Sequence, residues 1–163
     1  MNLTLVSEND PILRKVAEAW DFDKDGSPSE LVKEMTRLMF LHGGIGLAAP
    51  QCGVSKRIFI MGNSEHLFAC INPVIINGEG VVRDQEGCLS FPDIWLYVER
   101  YENVSVEYYT IDGEKVQQTF SDLIARVYQH ELEHLDGICF DTKVGKLALS
   151  RAKEKRKKLN RFK

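Results

Sequence analysis

The chain has 163 residues, 44% hydrophobic and 28% charged, with 12 Gly and 5 Pro; this is the composition of one globular domain, and it excludes disorder, collagen and coiled coil. Apolar runs such as Ile58 to Met61 are far shorter than the roughly 18 residues a membrane span needs. The net charge of −3 hides an asymmetry: residues 151–163 hold eight Lys or Arg and one Glu, so this tail is +7 and the body before it −10.

The first twenty residues carry Glu8, Asp10 and Glu18 and do not read as a secretory signal. The expected compartment is therefore the cytoplasm, or an organelle stroma or matrix or a host cytoplasm, without membrane contact. Cys52, Cys70, Cys88 and Cys139 are scattered and form no Cys-x-x-Cys pair, which argues against a disulfide framework and for a reducing interior. Cys52, Cys70 and Cys139 read as small buried hydrophobes.

In chain order, the first predicted helix begins at Ser27-Pro28-Ser29-Glu30. Ser27 caps it, proline takes the first position and Glu30 completes a capping box. Leu31, Met35, Leu38 and Met39 follow at helical spacing, and Gly43-Gly44 ends the pattern. Arg57 to Met61, Leu67 to Ile71 and Val74 to Ile76 read as strands, divided by turns at Gly62-Asn63 and Asn77-Gly78. Tyr101 to Tyr109 alternates, with Val104, Val106 and Tyr108 on one face, and Asp112-Gly113 turns the chain into Val116 to Phe120. From Asp122 to about Asp136 the period becomes helical: Leu123, Val127, His130 and His134 recur, with Ser121 or Asp122 as cap and Gly137 past the end.

This order predicts one α+β domain over residues 1–150, a single catalytic metallohydrolase domain in the light of the motif below. Antiparallel strands wrap a central HExxH-bearing helix, preceded by an N-terminal amphipathic helix. Residues 151–163 are expected as a short basic C-terminal tail, helical or frayed.

His130-Glu131-Leu132-Glu133-His134 is the HExxH run. Residues four apart on a helix lie one above the other, so both imidazoles can close on one ion while Glu131 reaches a reacting water without being a ligand. At this His and Glu content the expected number of chance matches is roughly 0.01. A catalytic site of this kind takes three protein ligands. The metzincin pattern would place a third His where Phe140 stands, and the only downstream Glu, Glu154, sits among lysines and arginines. The best remaining candidate is Cys88, in Glu86-Gly87-Cys88-Leu89-Ser90.

With Gly44-Ile45-Gly46-Leu47-Ala48-Ala49-Pro50-Gln51, Glu86 to Ser90 and Gln129 to Gly137 in this order, the chain resembles the peptide deformylase family over essentially its whole length. The resemblance implies that Cys88, His130 and His134 are metal ligands and Glu131 the general base. It makes Gln51 and the Leu89 backbone N–H the oxyanion donors, and Ile45, Gly46 and Gly87 contacts to the substrate strand. It implies an N-formylmethionyl peptide as substrate, with formate released. It implies one divalent metal, Fe(II) first and Zn(II) second, with Ni(II) or Co(II) able to substitute, since two imidazoles and a thiolate do not choose among these ions.

Three features depart from the family pattern. Glu133 stands where Asp is usual, Trp95 where a polar or basic residue is common, and Arg126 with Val127 where an apolar pair is common. Trp95, Arg126 and Val127 are expected near the pocket for the methionine side chain, and Glu133 beside the ligands. Arg100 resembles the family arginine that pairs with Glu86 and braces the Cys88 loop. The basic tail, Arg151 to Lys163, offers a salt-dependent contact with ribosomal RNA, and nothing in the chain demands more than a monomer.

Overall fold

The structure, a computed structural model, describes residues 1–163. After a 3₁₀ turn at Pro11–Arg14 the chain forms α1 (Phe22–Asp25) and α2 (Ser29–Leu41), then strands β1 (Gly46–Ala48), β2 (Ile58–Gly62) and β3 (Leu67–Glu79). A hairpin follows, β4 (Val82–Cys88) and β5 (Phe91–Arg100), then β6 (Asn103–Tyr109), β7 (Lys115–Ser121), α3 (Asp122–Leu135) and α4 (Lys146–Asn160). The fold is α+β, and every strand pairing is antiparallel. One sheet runs β1-β2-β3-β6-β7, and β4-β5 stands apart as a two-stranded sheet.

The alternation read at Val104, Val106 and Tyr108 does bury that face. With Phe59, Met61 and Phe120 it meets Ala125 and Tyr128 of α3 in the largest cluster of the core. Leu31, Met35, Leu38 and Met39 of α2 pack on Leu47, Ile58, Ile60 and Ile71. A third cluster, Leu13, Phe91, Ile94, Leu96, Val98, Cys139 and Phe140, lies under the β4-β5 hairpin.

Several local expectations change. The capping box at Ser27 does not form: Pro28 takes the cap position, no side chain caps the helix, and Ser27 Oγ only accepts from Ser29 N at 3.3 Å. Asn77-Gly78 is not a turn but lies inside β3, because the glycine makes room for a neighbour: a β-carbon there would fall 2.4 Å from the Tyr101 ring. The irregularity in β3 is at Asn72, whose φ of 51° places it in the left-handed region that short polar side chains tolerate. Its amide bonds both backbone groups of Trp20, at 2.8 and 2.9 Å, tying the N-terminal segment to the sheet. Leu123 is exposed, not on the buried face of α3. The basic residues 151–160 are helical and belong to α4, which begins at Lys146 and ends at Asn160. Arg156 of α4 bonds Glu8 at 2.6 Å and Lys163 bonds Asp93 at 2.6 Å.

Candidate active site

Two elements bring the donors together. On α3, His130 and His134 are one turn apart with ring centroids 5.0 Å apart. The third donor closes β4, where Cys88 Sγ lies 3.4 Å from His134 Nε2. One donor atom from each of Cys88, His130 and His134 lies within 4.8 Å of the others.

The hairpin explains why Cys88 arrives there. Along β5, Ile94, Leu96, Val98 and Arg100 are buried while Trp95, Tyr97 and Glu99 are exposed, the period-two signature of a half-buried strand. Glu86 pairs with Leu96 and shares its buried side, whereas Gly87 faces the Trp95 ring, which a β-carbon would approach to 2.6 Å. The register shifts between Glu86 and Cys88, a local irregularity of the kind that re-aims a side chain at the end of a strand.

Glu86 is the hub of a buried charge network. Its carboxylate receives Arg100 in bidentate fashion, at 2.7 and 2.9 Å, and Arg126 Nη1 at 2.6 Å. Its Oε1 lies 2.9 Å from His130 Nδ1, which leaves Nε2 of that ring for the site. Glu133 extends the network, meeting Arg100 with one oxygen and Lys143 with the other, the latter at 2.8 Å. Burial resists ionisation of Glu86, yet Arg100 and His130 overcome it and hold the carboxyl down at about 2. Burial also disfavours the His130 imidazolium, but the Cys88 sulfur and Glu86 outweigh this and raise its pKa to about 10. The same two groups favour a cation at the ring. Burial and the neighbouring His130 keep His134 well below the ordinary histidine range, in the neutral form that coordinates metals.

A cavity of about 620 Å³ opens over this cluster, lined by both His130 and Glu131. Glu131 is buried, and its Oε2 has no hydrogen-bond partner. Burial pushes this carboxyl up to about 7. Gly46 of β1 lies against it: a β-carbon at position 46 would fall 2.6 Å from Glu131 Oε1 and 2.7 Å from Val127 Cγ1. Gln51 is fixed from both ends. Its Oε1 accepts from Ala48 N at 2.9 Å, which turns Nε2 toward Cys88 Sγ at 3.4 Å and Ser90 Oγ at 3.1 Å. The Leu89 N–H has no backbone carbonyl partner. Ile45, Gly87, Trp95 and Val127 line the same cavity, Ile45 and Trp95 being exposed at its rim.

Arg126 borders the cavity, as expected. Its guanidinium bonds Glu86 at 2.6 Å, Val98 O at 2.8 Å and Val82 O at 2.7 Å. A buried guanidinium needs such partners. Three neighbours escaped the sequence: Ser90 beside Gln51, Lys143 on Glu133, and Cys139, whose Sγ lies 3.9 Å from His134 Nδ1. Only Ser90 carried a signal, its place next to the Cys88 motif.

The residues present fit a divalent ion. Thiolate and imidazole are catalytic-metal donors, they converge, and beside them a buried carboxylate oxygen lacks the partner that a packed interior normally supplies. Three such donors, an adjacent carboxylate on the same helix and a cavity above them define a metal-dependent hydrolase.

Comparison with known proteins makes the class specific. The family model for polypeptide deformylase matches residues 3–150. The peptide deformylase of Acidobacterium capsulatum is 39% identical over 149 residues, covering 88% of this chain and 86% of the relative. That of Pseudothermotoga lettingae is 44% identical over 133 residues, covering 80% and 76%. Among solved structures, a peptide deformylase from Synechococcus elongatus in complex with actinonin superposes with a TM-score of 0.88 at 35% identity, covering 94% of this chain and 85% of that one. One from Legionella pneumophila gives 0.89 at 31%, covering 99% and 97%. The chain belongs to the peptide deformylase family. Its reaction is the metal-dependent hydrolytic removal of the N-formyl group from nascent peptides. No helix is long and apolar enough to cross a membrane.

Proposed function

We propose that Cys88 Sγ, His130 Nε2 and His134 Nε2 hold one divalent ion, Fe(II) in preference to Zn(II), with Ni(II) or Co(II) as competent substitutes. When bound, such an ion supplies Lewis acidity beside the reacting carbonyl. The chain's own residues do the rest. Glu131 takes the proton of the attacking water and delivers it to the leaving amine of the N-formylmethionyl peptide, and formate departs. Its pKa of about 7 and its unpartnered Oε2 suit a group that must hold and release a proton near neutrality. Gln51 Nε2 and the Leu89 N–H donate to the oxygen on which negative charge develops, each worth roughly 3 to 4 kcal/mol. Because Ala48 N–H holds the Gln51 carbonyl, the amide cannot turn its acceptor end toward that charge.

Glu86 accepts from His130 Nδ1 and fixes the ring, while Arg100 and Arg126 fix Glu86. Glu133 takes the far side of Arg100. Ile45 and Gly87 flank the peptide strand, with Gly46 and Val127 beneath it and Trp95 at the rim. Helix α3 serves as the central element of one catalytic domain, in contact with β1, β2, β6 and β7.

Lys153 and Lys157 on α4 and Arg161 at its C-cap recur every four residues and are exposed; this outward face is the one we assign to a weak, salt-dependent ribosomal RNA contact. The protein acts as a monomer, in the cytoplasm or an equivalent compartment.

The observation that carries this reading is the convergence of one sulfur and two ring nitrogens beside a buried, unpartnered carboxylate. The test is formate release from a formyl-Met peptide by protein prepared anaerobically, because Fe(II) and thiolate are both oxidisable. Rapid release, with no cleavage of unformylated casein, is expected. Casein digestion with indifference to formylation would replace this reading with that of an endopeptidase.

A further inference from the structure

Beyond the catalytic cavity lies a second cleft of about 690 Å³ between β5 and α4. The two adjoin: Gln85 and Trp95 line both. The second differs in charge. Arg83, Arg151 and Lys155 line it, all exposed and none in an ion pair, against a single carboxylate, Glu99. Arg83 instead stands over the Tyr97 ring, 4.9 Å from its centroid, which holds the guanidinium at the wall without neutralising it. Arg151 and Lys155 are four residues apart on α4 and present their charges along one line. A fourth cation on the wall, Lys143, is already spoken for by Glu133. On a body that carries −10 outside its tail, this concentration of unpaired positive charge beside the catalytic cavity focuses the field for an anionic group.

The substrate is a peptide whose first residue is held at the catalytic centre, so its remaining residues must leave that cavity over the rim. We propose that they pass Trp95 into the β5-α4 cleft, and that Arg83, Arg151 and Lys155 select acidic side chains in the downstream part of the formylated peptide. The inference rests on the reading that formyl-Met peptides are the substrate. It assigns the cleft-facing side of α4 to the substrate, leaving Lys153, Lys157 and Arg161 pointing elsewhere.

The test compares formyl-Met peptides differing only in one downstream residue, Glu or Lys, moved stepwise from the third position outward, with neutral formyl-Met-Ala as reference. The Glu peptides are expected to exceed the Lys peptides in kcat/KM by about three- to tenfold at one or two positions, the scale of two solvent-exposed ion pairs. The difference should lie in KM and fade at high salt. Arg83→Ala with Lys155→Ala should abolish the preference while hydrolysis of formyl-Met-Ala is unchanged, and Lys155→Glu should invert it. Equal turnover of Glu and Lys peptides at every position would overturn the proposal, as would a preference that survives the double variant. A double variant that loses affinity for a single-stranded RNA oligonucleotide but keeps the preference would overturn it too, and give the cleft to RNA. If formyl-Met-Ala itself were not hydrolysed, the failure would be of the catalytic reading and not of the cleft.

Discussion

Gly46 and the Glu131 carboxylate occupy one shared volume: a β-carbon at position 46 would come within 2.6 Å of Oε1. The glycine is therefore a condition for the position of the proposed base, quite apart from any contact with the substrate. Gly46→Ala is expected to keep metal content and fold and to lower kcat by about 100-fold, the penalty for displacing a reacting group by about 1 Å. Metal analysis beside formate release checks this. Activity within a factor of about two would show that the carboxylate has room to move.

Glu131→Gln removes the proton acceptor while nearly preserving shape. It should retain metal at wild-type stoichiometry and lose turnover by about 10² to 10⁴. Surviving turnover would mean that another group handles the proton.

Glu86→Gln leaves Arg100 and Arg126 buried beside a neutral amide, where each had a charged partner at 2.6 to 2.9 Å. Breaking a buried ion pair from one side is expected to destabilise by about 3 to 5 kcal/mol. Because the same carboxylate orients His130, metal affinity should also fall about 10- to 100-fold. Denaturant melts of loaded and chelated protein separate the two effects, since only the loaded form reports the second.

Chelation should abolish formate release and lower the melting temperature, with both restored on adding Fe(II) under anaerobic conditions or Zn(II). An ion at about 1,000 times its dissociation constant adds about 4 kcal/mol to the folded state. Cys88→Ser should lose that increment, and an unchanged metal content would remove the sulfur from the ligand set.

The thiols give a pH-dependent test. Burial, with Glu131 nearby, pushes Cys52 up to about 12, and burial alone raises Cys70 well above the ordinary thiol range. A raised folded pKa means that the neutral thiol persists as pH climbs past the unfolded value, and the thiolate appears only near the folded one. Iodoacetamide at about pH 8 should therefore leave both unmodified in the folded protein and label both once it is unfolded in guanidinium. Mass mapping of the labelled residues checks it; labelling of Cys70 in the folded state would contradict its burial.

How much of this was legible in the sequence depends on which physical signal each part left there. The spacing of His130 and His134 needed only helical geometry, and the turn at Asp112-Gly113 only local backbone preference, visible as the φ of 80° at Gly113. β5 was not read as a strand: Ile94, Leu96 and Val98 alternate with Trp95, Tyr97 and Glu99, but its last inward residue, Arg100, is charged and hides the period. β4, Val-Arg-Asp-Gln-Glu-Gly-Cys, has no apolar face at all. It is a strand because β5 pairs with it.

Glycine misleads for a related reason. Gly78 and Gly113 look alike in sequence, but one admits the Tyr101 ring and the other turns the chain. The bonding of Arg126 could not be read locally, because its partner Glu86 lies 40 residues away.

The sequence by itself determined the helix that presents two imidazoles and a carboxylate, because these lie within one turn and local periodicity decides where they point. Only the tertiary structure decided that Cys88 meets them, that two arginines converge on Glu86, and that α4 lines a cationic cleft beside the catalytic cavity. Those contacts join residues far apart along the chain, and burial, which sets the strength of every charge in the site, exists only once the elements have packed.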